Sequence, residues 1–306
     1  MTEIHTLIET LHKRYATLNE GKVADYIPEL AKANPNCFAI VIVTAEGEVF
    51  SVGDAEQAFT IQSMSKPFTY GLALEDYGRD YVFSRVAVEP VGRRFNAIVL
   101  EEKTGRPPNP MMNSGAITIS DMIKGENLTE KLNRLLGMFK AYTGHDVHMD
   151  VTVYTSERMN GYHNRAIANL LRASGAIQGN VDEALEFYFQ QCSLQVNTLD
   201  LATMAATFAN KGINPKTGER AIANEHIRDI LSVMYTCGMY DSSGEWAYRV
   251  GIPAKSGVSG GIWGVVPNRM GIAVFSPLLN EPGHSIRGLK VFEDLSDELN
   301  LHIFDA

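Results

Sequence analysis

The sequence predicts an α+β fold: one antiparallel sheet built from both chain ends and flanked by helices, with an all-helical subdomain inserted between them. Three observations predict it. A hairpin signal lies near the N-terminus, three strand signals lie near the C-terminus, and helical periodicity fills the long stretch between. About 1–62 and 249–306 should form the sheet part and about 66–248 the helical part, within a single domain spanning 1–306. A cleft is expected at their junction.

Residues 2–18 carry Ile4, Leu7, Ile8, Leu11 and Tyr15 at helical spacing and predict an amphipathic helix. Phe38 to Val43 and Glu48 to Val52 then flank Ala45-Glu46-Gly47, with glycine available for the turn. Helices are predicted over 66–76, 116–124, 127–141, 162–174, 181–192, 198–210 and 220–235. Gly105-Arg106-Pro107-Pro108-Asn109-Pro110 must be loop, because proline interrupts the backbone ladder. Strands are predicted over 252–258, 261–266 and 270–275, with Pro267-Asn268-Arg269 as a turn, and a helix over 287–300 follows.

Composition narrows the function classes. The chain is 45% hydrophobic and 21% charged, ordinary for a globular protein with a sizeable core. A net charge of -9 and a pI near 5.4 imply no basic face for nucleic acid. The polar start reads as a helix, not a signal peptide, and no apolar run approaches the ~20 residues that cross a bilayer. Cys37, Cys192 and Cys237 are an odd count without paired spacing, which favours free, buried thiols in a reducing compartment. A cytoplasmic protein without nucleic-acid or membrane partners is expected.

The chemistry begins at Ser63-Met64-Ser65-Lys66. On a helix, residues three apart share a face, so Ser63 and Lys66 can touch. A serine hydroxyl needs a base to become a nucleophile, and a lysine serves if burial or a nearby cation depresses its pKa. Pro67 fits only a first helical turn, so the helix should begin near Ser63, with free N–H groups facing any anion formed there. An S-x-x-K pair alone occurs by chance in many chains, as a capping serine beside a solvated lysine. Support comes from Lys255-Ser256-Gly257 in a predicted strand, which matches the K-[ST]-G of serine β-lactamases and penicillin-binding proteins. Lys255 would hold Lys66 neutral by like-charge repulsion, and strand backbone would supply an oxyanion donor.

Other signals carry less. Gly257-Val258-Ser259-Gly260-Gly261 fits the G-x-S-x-G elbow, but that elbow runs from strand into helix and here another strand follows. Tyr162-His163-Asn164 reads as a helix N-terminus, and Tyr162 as structural. His145-Asp146-Val147-His148 lacks a defined third ligand and reads as polar loop, so no metal site is assigned. There is no phosphate-binding or dinucleotide fingerprint. Met111, Met112, Phe187 and Phe189 read as core.

Nearly the whole chain resembles the serine-dependent glutaminases. The landmarks run in order: Asp25-Tyr26-Ile27-Pro28-Glu29-Leu30-Ala31, Gln62-Ser63-Met64-Ser65-Lys66, and Asn109-Pro110-Met111-Met112-Asn113-Ser114-Gly115-Ala116-Ile117. Ser156-Glu157-Arg158, Asn164, Phe187-Tyr188-Phe189, Cys237-Gly238-Met239-Tyr240-Asp241 and Pro253 to Gly261 complete the set. The resemblance implies a β-lactamase-like fold and hydrolysis of L-glutamine to L-glutamate and ammonia without metal or cofactor. Carried over by motif, Ser63 is the nucleophile and Lys66 its base, through a γ-glutamyl ester. Tyr240 and Tyr26 fall at active-site tyrosine positions, and the N–H groups of Ser63 and Val258 would form the oxyanion hole. Glu157 would neutralise the substrate ammonium, with Asn113, Asn164 and Tyr188 as neutral partners of its carboxylate. A homodimer or homotetramer is expected from the family. Ser114 and Ser259 stand where the family often has alanine.

Two other readings make distinct predictions. A β-lactamase or peptidase relative should be acylated by penicillins and carry a signal peptide and a middle motif; a non-catalytic amino-acid sensor should keep the pocket without turnover.

Overall fold

The structure, a computed structural model, describes residues 3–93 and 96–305. The N-terminal third contains α1 (Glu3–Tyr15), β1 (Ala39–Thr44), β2 (Val49–Gly53), β3 (Phe59–Thr60) and α2 (Lys66–Arg85). The middle contains α3 (Asn113–Met122), α4 (Leu128–Thr143), α5 (Val151–Asn160), α6 (Tyr162–Ala173), α7 (Val181–Cys192), β4 (Gln195–Val196), α8 (Thr198–Ala209), α9 (Asn224–Cys237) and α10 (Ser243–Arg249). The chain closes with β5 (Ala254–Ser256), β6 (Gly261–Val266), β7 (Met270–Phe275) and α11 (Ile286–Leu299).

One five-stranded antiparallel sheet, ordered β2-β1-β7-β6-β5, joins the two chain ends. Side chains alternate across a strand, so its two faces feed two cores. Ile40, Ile42, Ile262, Ile272 and Val274 point to the face covered by Ile8, Val291 and Phe292 of α1 and α11. Val41, Val43, Trp263, Val265 and Ala273 point to the face covered by α8 and the helical middle. Every residue of β1, β6 and β7 is buried, whereas the edge strand β2 alternates between exposed and half-buried. Helix α8 lies close against the sheet: a Cβ on Gly271 would sit 2.2 Å from the Ala206 nitrogen, so only glycine admits that approach.

The periodicities place most elements within a few residues, and β6, β7 and α7 match their expected bounds. The expected start of α1 at residue 2 lies outside the described residues. Helix α2 was expected to end at 76; Gly78 there takes φ 75°, ψ 165°, and a further helical segment runs on to Arg85. The strand expected over 252–258 is shorter, because a turn closed by Gly260 N–H to the Gly257 carbonyl follows Ser256. The middle is not wholly helical: β4 pairs with β3 in a two-stranded ribbon.

Two helices escape the periodicity, α5 and α10. In α5 Val151 and Met159 are exposed while Ser156 and Glu157 are buried. With Val153 its one buried apolar residue, the helix shows no apolar stripe. Its start is marked instead by Asp150, whose carboxylate accepts from the Thr152 and Val153 N–H groups. The three cysteines are free and buried. Among the described residues no helix is long and apolar enough to cross a membrane.

Candidate active site

The local geometry starts at Gln62, which holds φ 51°, a left-handed backbone rare for a side chain of its size. It opens a 3₁₀ turn, Gln62–Ser65, that runs directly into α2 at Lys66, with Pro67 in the first turn. In a 3₁₀ turn residues i and i+3 eclipse, so Ser63 and Lys66 share one side. Three contacts pin the turn: Trp263 Nε1 donates to the Met64 carbonyl at 3.2 Å, Gln191 Nε2 to Ser65 Oγ at 2.9 Å, and Ser65 Oγ to the Gln62 carbonyl at 2.6 Å.

Lys66 is 1% exposed, and burial pushes its pKa down to about 7. Its ammonium donates to the Met111 carbonyl at 2.9 Å and to Asn113 Oδ1 at 2.8 Å. Asn113 is held in turn, since Tyr188 Oη donates to its Oδ1 at 3.2 Å and its Nδ2 donates to Asn164 Oδ1 at 2.9 Å. Gly115 lets α3 start so close to the preceding loop, for a Cβ there would lie 1.9 Å from the Asn109 carbonyl oxygen.

Behind the turn stands Tyr240, also left-handed at φ 54°. Its ring is 4.0 Å from Lys255 Nζ and 5.6 Å from Lys66 Nζ. Burial raises its phenol pKa, and hydrogen bonding with the Ser63 hydroxyl opposes that rise. Lys255 is fully buried and donates to the Ser256 carbonyl at 2.6 Å; burial, and then Lys66, push its pKa well down. Burial of two neighbouring lysines disfavours the doubly charged state.

Ser63 opens into a cavity of about 290 Å³. Tyr26, Asn113, Glu157, Asn164, Tyr188 and Val258 line the same cavity, although they come from five separate stretches of chain. Glu157 is 5% exposed; burial raises its pKa, while hydrogen bonds from Tyr26 and Gln62 favour the ionised form. Tyr26 Oη donates to Glu157 Oε1 at 2.6 Å. Half of Tyr26 is exposed, yet its hydroxyl points inward, where burial and then Glu157 raise its pKa. Val258, on the β5–β6 turn, lines the cavity together with Ser63, and a Cβ on the preceding Gly257 would lie 2.9 Å from Met64 Cγ.

A family model described as Glutaminase matches residues 21–304. The chain is 61% identical over 301 residues to a glutaminase of Trichormus variabilis, covering 98% of this chain and 90% of that one. It is 49% identical over 304 residues to glutaminase 2 of Clostridium perfringens, covering 98% and 99%. The chain belongs to the glutaminase family. Solved structures agree: the probable glutaminase YbaS superposes with a TM-score of 0.96 at 40% identity, covering 99% of this chain and 98% of that one. A probable glutaminase of Bacillus subtilis superposes at 0.89 with 33% identity, covering 99% and 97%. The protein is therefore a hydrolase acting on the amide of glutamine.

The cavity also holds residues to which sequence reasoning gave no site role. Gln62, Asn96, Asn160, Gly161, His163 and Cys192 also line the cavity. Three were within reach of spacing: Cys192 lies four residues after Tyr188 on α7 and so shares its face, and Asn160 and Gly161 follow Glu157 by three and four residues. Burial raises the Cys192 thiol pKa to about 12, which makes it a filler of the wall, not a nucleophile. Tyr162 begins α6 and is exposed, as expected of a helix start. His145 is engaged by Asp200, Nε2 to Oδ1 at 2.6 Å, which raises its pKa. Among the described residues no group of three acidic, histidine or cysteine side chains can hold a metal. Ser114 Oγ and Ser259 Oγ are buried without a hydrogen-bond partner among the described residues.

Proposed function

We propose that this glutaminase hydrolyses L-glutamine through a Ser63 nucleophile and a γ-glutamyl-enzyme ester, with Lys66 as base. The observation that carries the reading is the juxtaposition of Ser63, at the floor of a cavity that also contains the buried Glu157 carboxylate, with a buried lysine one 3₁₀ turn behind it whose pKa is near neutrality. Ser63 Oγ adds to the side-chain amide carbon, and its proton moves by way of Tyr240 and Lys66 to the leaving ammonia. Water then cleaves the ester, giving L-glutamate and restoring the hydroxyl. The N–H groups of Ser63 and Val258 stabilise the oxyanion at each stage.

Recognition follows from charge. Glu157, steadied by Tyr26, takes the substrate ammonium, and Asn164, Tyr188 and Asn113 take its carboxylate. The hydrogen bonds of Asn113 to Lys66 and to Asn164 support a second task for it, linking the binding end to the base. The starting turn of α2 beneath the sheet and the K-S-G triplet on β5 support a β-lactamase-like layout acting as one catalytic domain. A cytoplasmic homodimer or homotetramer is the corresponding assembly.

Purified protein should release ammonia from L-glutamine and turn over L-asparagine at least ~10²-fold less efficiently, because the shorter side chain leaves its amide about one methylene short of Ser63. A chromogenic β-lactam should not be turned over. Absence of glutamine turnover in folded protein sinks the substrate assignment, and rapid β-lactam acylation would favour the penicillin-recognising alternative. The pH profile tests the base: Lys66 acts only when neutral, so kcat should rise about tenfold per pH unit below about 7 and level off above it. A flat profile down to pH 5 at saturating substrate rules Lys66 out as the base.

A further inference from the structure

We infer that His284 is a positioning residue for this reaction, clamping Tyr240 and the Lys255-Ser256 edge of β5 in the geometry that serves Ser63. His284 lies in the loop between β7 and α11 and is fully buried. It is absent from the cavity wall, so it acts through other residues. Its ring stacks on the Tyr240 ring, centroids 6.1 Å apart with planes 18° from parallel. Its Nδ1 lies 2.9 Å from Ser256 Oγ. The Met239 carbonyl, immediately before Tyr240, favours a proton on the imidazole. The loop is itself braced, since the His284 N–H donates to Asn280 Oδ1 at 2.8 Å and the Asn280 N–H to the His284 carbonyl at 2.9 Å.

Such a clamp answers a physical need. Tyr240 sits on a short 3₁₀ turn with a left-handed backbone, which neighbours must hold in place. Its hydroxyl works beside Ser63 while Lys255 lies against its ring. A shift of about 1 Å in such a group costs a reaction ~10²-fold. One imidazole touches both partners of Lys255, the aromatic ring on one side and the adjacent serine on the other. Burial and Lys255 push the imidazole pKa down to about 4, so it braces the site without adding a third positive charge.

The inference rests on the reading that Tyr240 works on Ser63, and Tyr240→Phe is therefore measured in parallel. His284→Ala and His284→Leu should each lower kcat at least ~10-fold with KM changed less than about threefold, since only the reacting geometry is disturbed. His284→Asn, whose amide reaches the place of Nδ1, should recover part of the lost kcat. Circular dichroism and thermal melting establish that each variant is folded; if the alanine variant is not, the leucine and asparagine pair decides. A folded His284→Leu with wild-type kcat overturns the inference, as does an asparagine variant no better than leucine, or KM rising in step with the fall in kcat. If Tyr240→Phe keeps wild-type kcat, the reading of Tyr240 fails and the inference falls with it. If Tyr240→Phe loses kcat while His284→Leu does not, the His284 inference alone fails.

Discussion

Ser63→Ala is expected to lower kcat for ammonia release from L-glutamine at least ~10⁴-fold, the scale of losing the nucleophile in serine hydrolases. The effect should be confined to chemistry. Ser63 is small, and its turn is pinned by contacts from Trp263 and Gln191 to the neighbouring Met64 and Ser65, so deleting one hydroxyl leaves the packing intact. Thermal melting should stay close to wild type, and L-glutamate should still bind, because the residues proposed to hold it, Glu157, Asn164 and Tyr188, are untouched. Mass spectrometry of wild type quenched during turnover should find a γ-glutamyl adduct, and the variant should show none. A folded Ser63→Ala protein retaining more than a few per cent of turnover would remove Ser63 from the nucleophile's role.

Glu157→Gln should reduce kcat/KM for L-glutamine by ~10²–10³-fold, corresponding to ~3–4 kcal/mol for stripping one partner from a buried charge pair. The substitution keeps the shape of the side chain and removes only the charge proposed to answer the α-ammonium. Its effect on the free protein should have the opposite sign. Burial raises the Glu157 pKa in the fold above its unfolded value. As pH rises past the ordinary carboxylate range, the folded state must lose a proton that burial would retain, so an ionised Glu157 costs stability at neutral pH. The glutamine variant is free of that cost and should melt no lower than wild type. L-glutamate should raise the melting temperature of wild type and leave the variant nearly unmoved. Equal stabilisation of both proteins would place the ammonium elsewhere.

How much could be read along the chain depended on how each residue earns its place. Strands β6 and β7 and helix α7 are built from apolar residues at regular intervals, so their bounds followed from periodicity alone. Helix α5 was not seen, because Val153 is its one buried apolar residue, while Ser156 and Glu157 are buried beside it and Glu157 lines the cavity. Residues that serve a polar pocket break the pattern that reveals a helix. Gln62 and Tyr240 break another rule, holding left-handed backbone without being glycine, and both stand next to Ser63. His284 carries no local signal, since its partners Tyr240 and Ser256 lie more than 25 residues away along the chain.

Residue types and their order were enough to establish the sheet from both chain ends, the S-x-x-K and K-S-G pair and the likeness to glutaminases, because each is written in contiguous residues. The meeting of Tyr26, Ser63, Asn113, Glu157, Asn164, Tyr188 and Val258 around one cavity was decided only by the tertiary structure. So were the hydrogen bonds of Lys66 to Met111 and Asn113, and the burial that brings its pKa to about 7. Desolvation and through-space charge depend on every segment packed around a group. A lysine's sequence neighbours therefore say that it can be a base, and its surroundings in the fold decide the pH at which it becomes one.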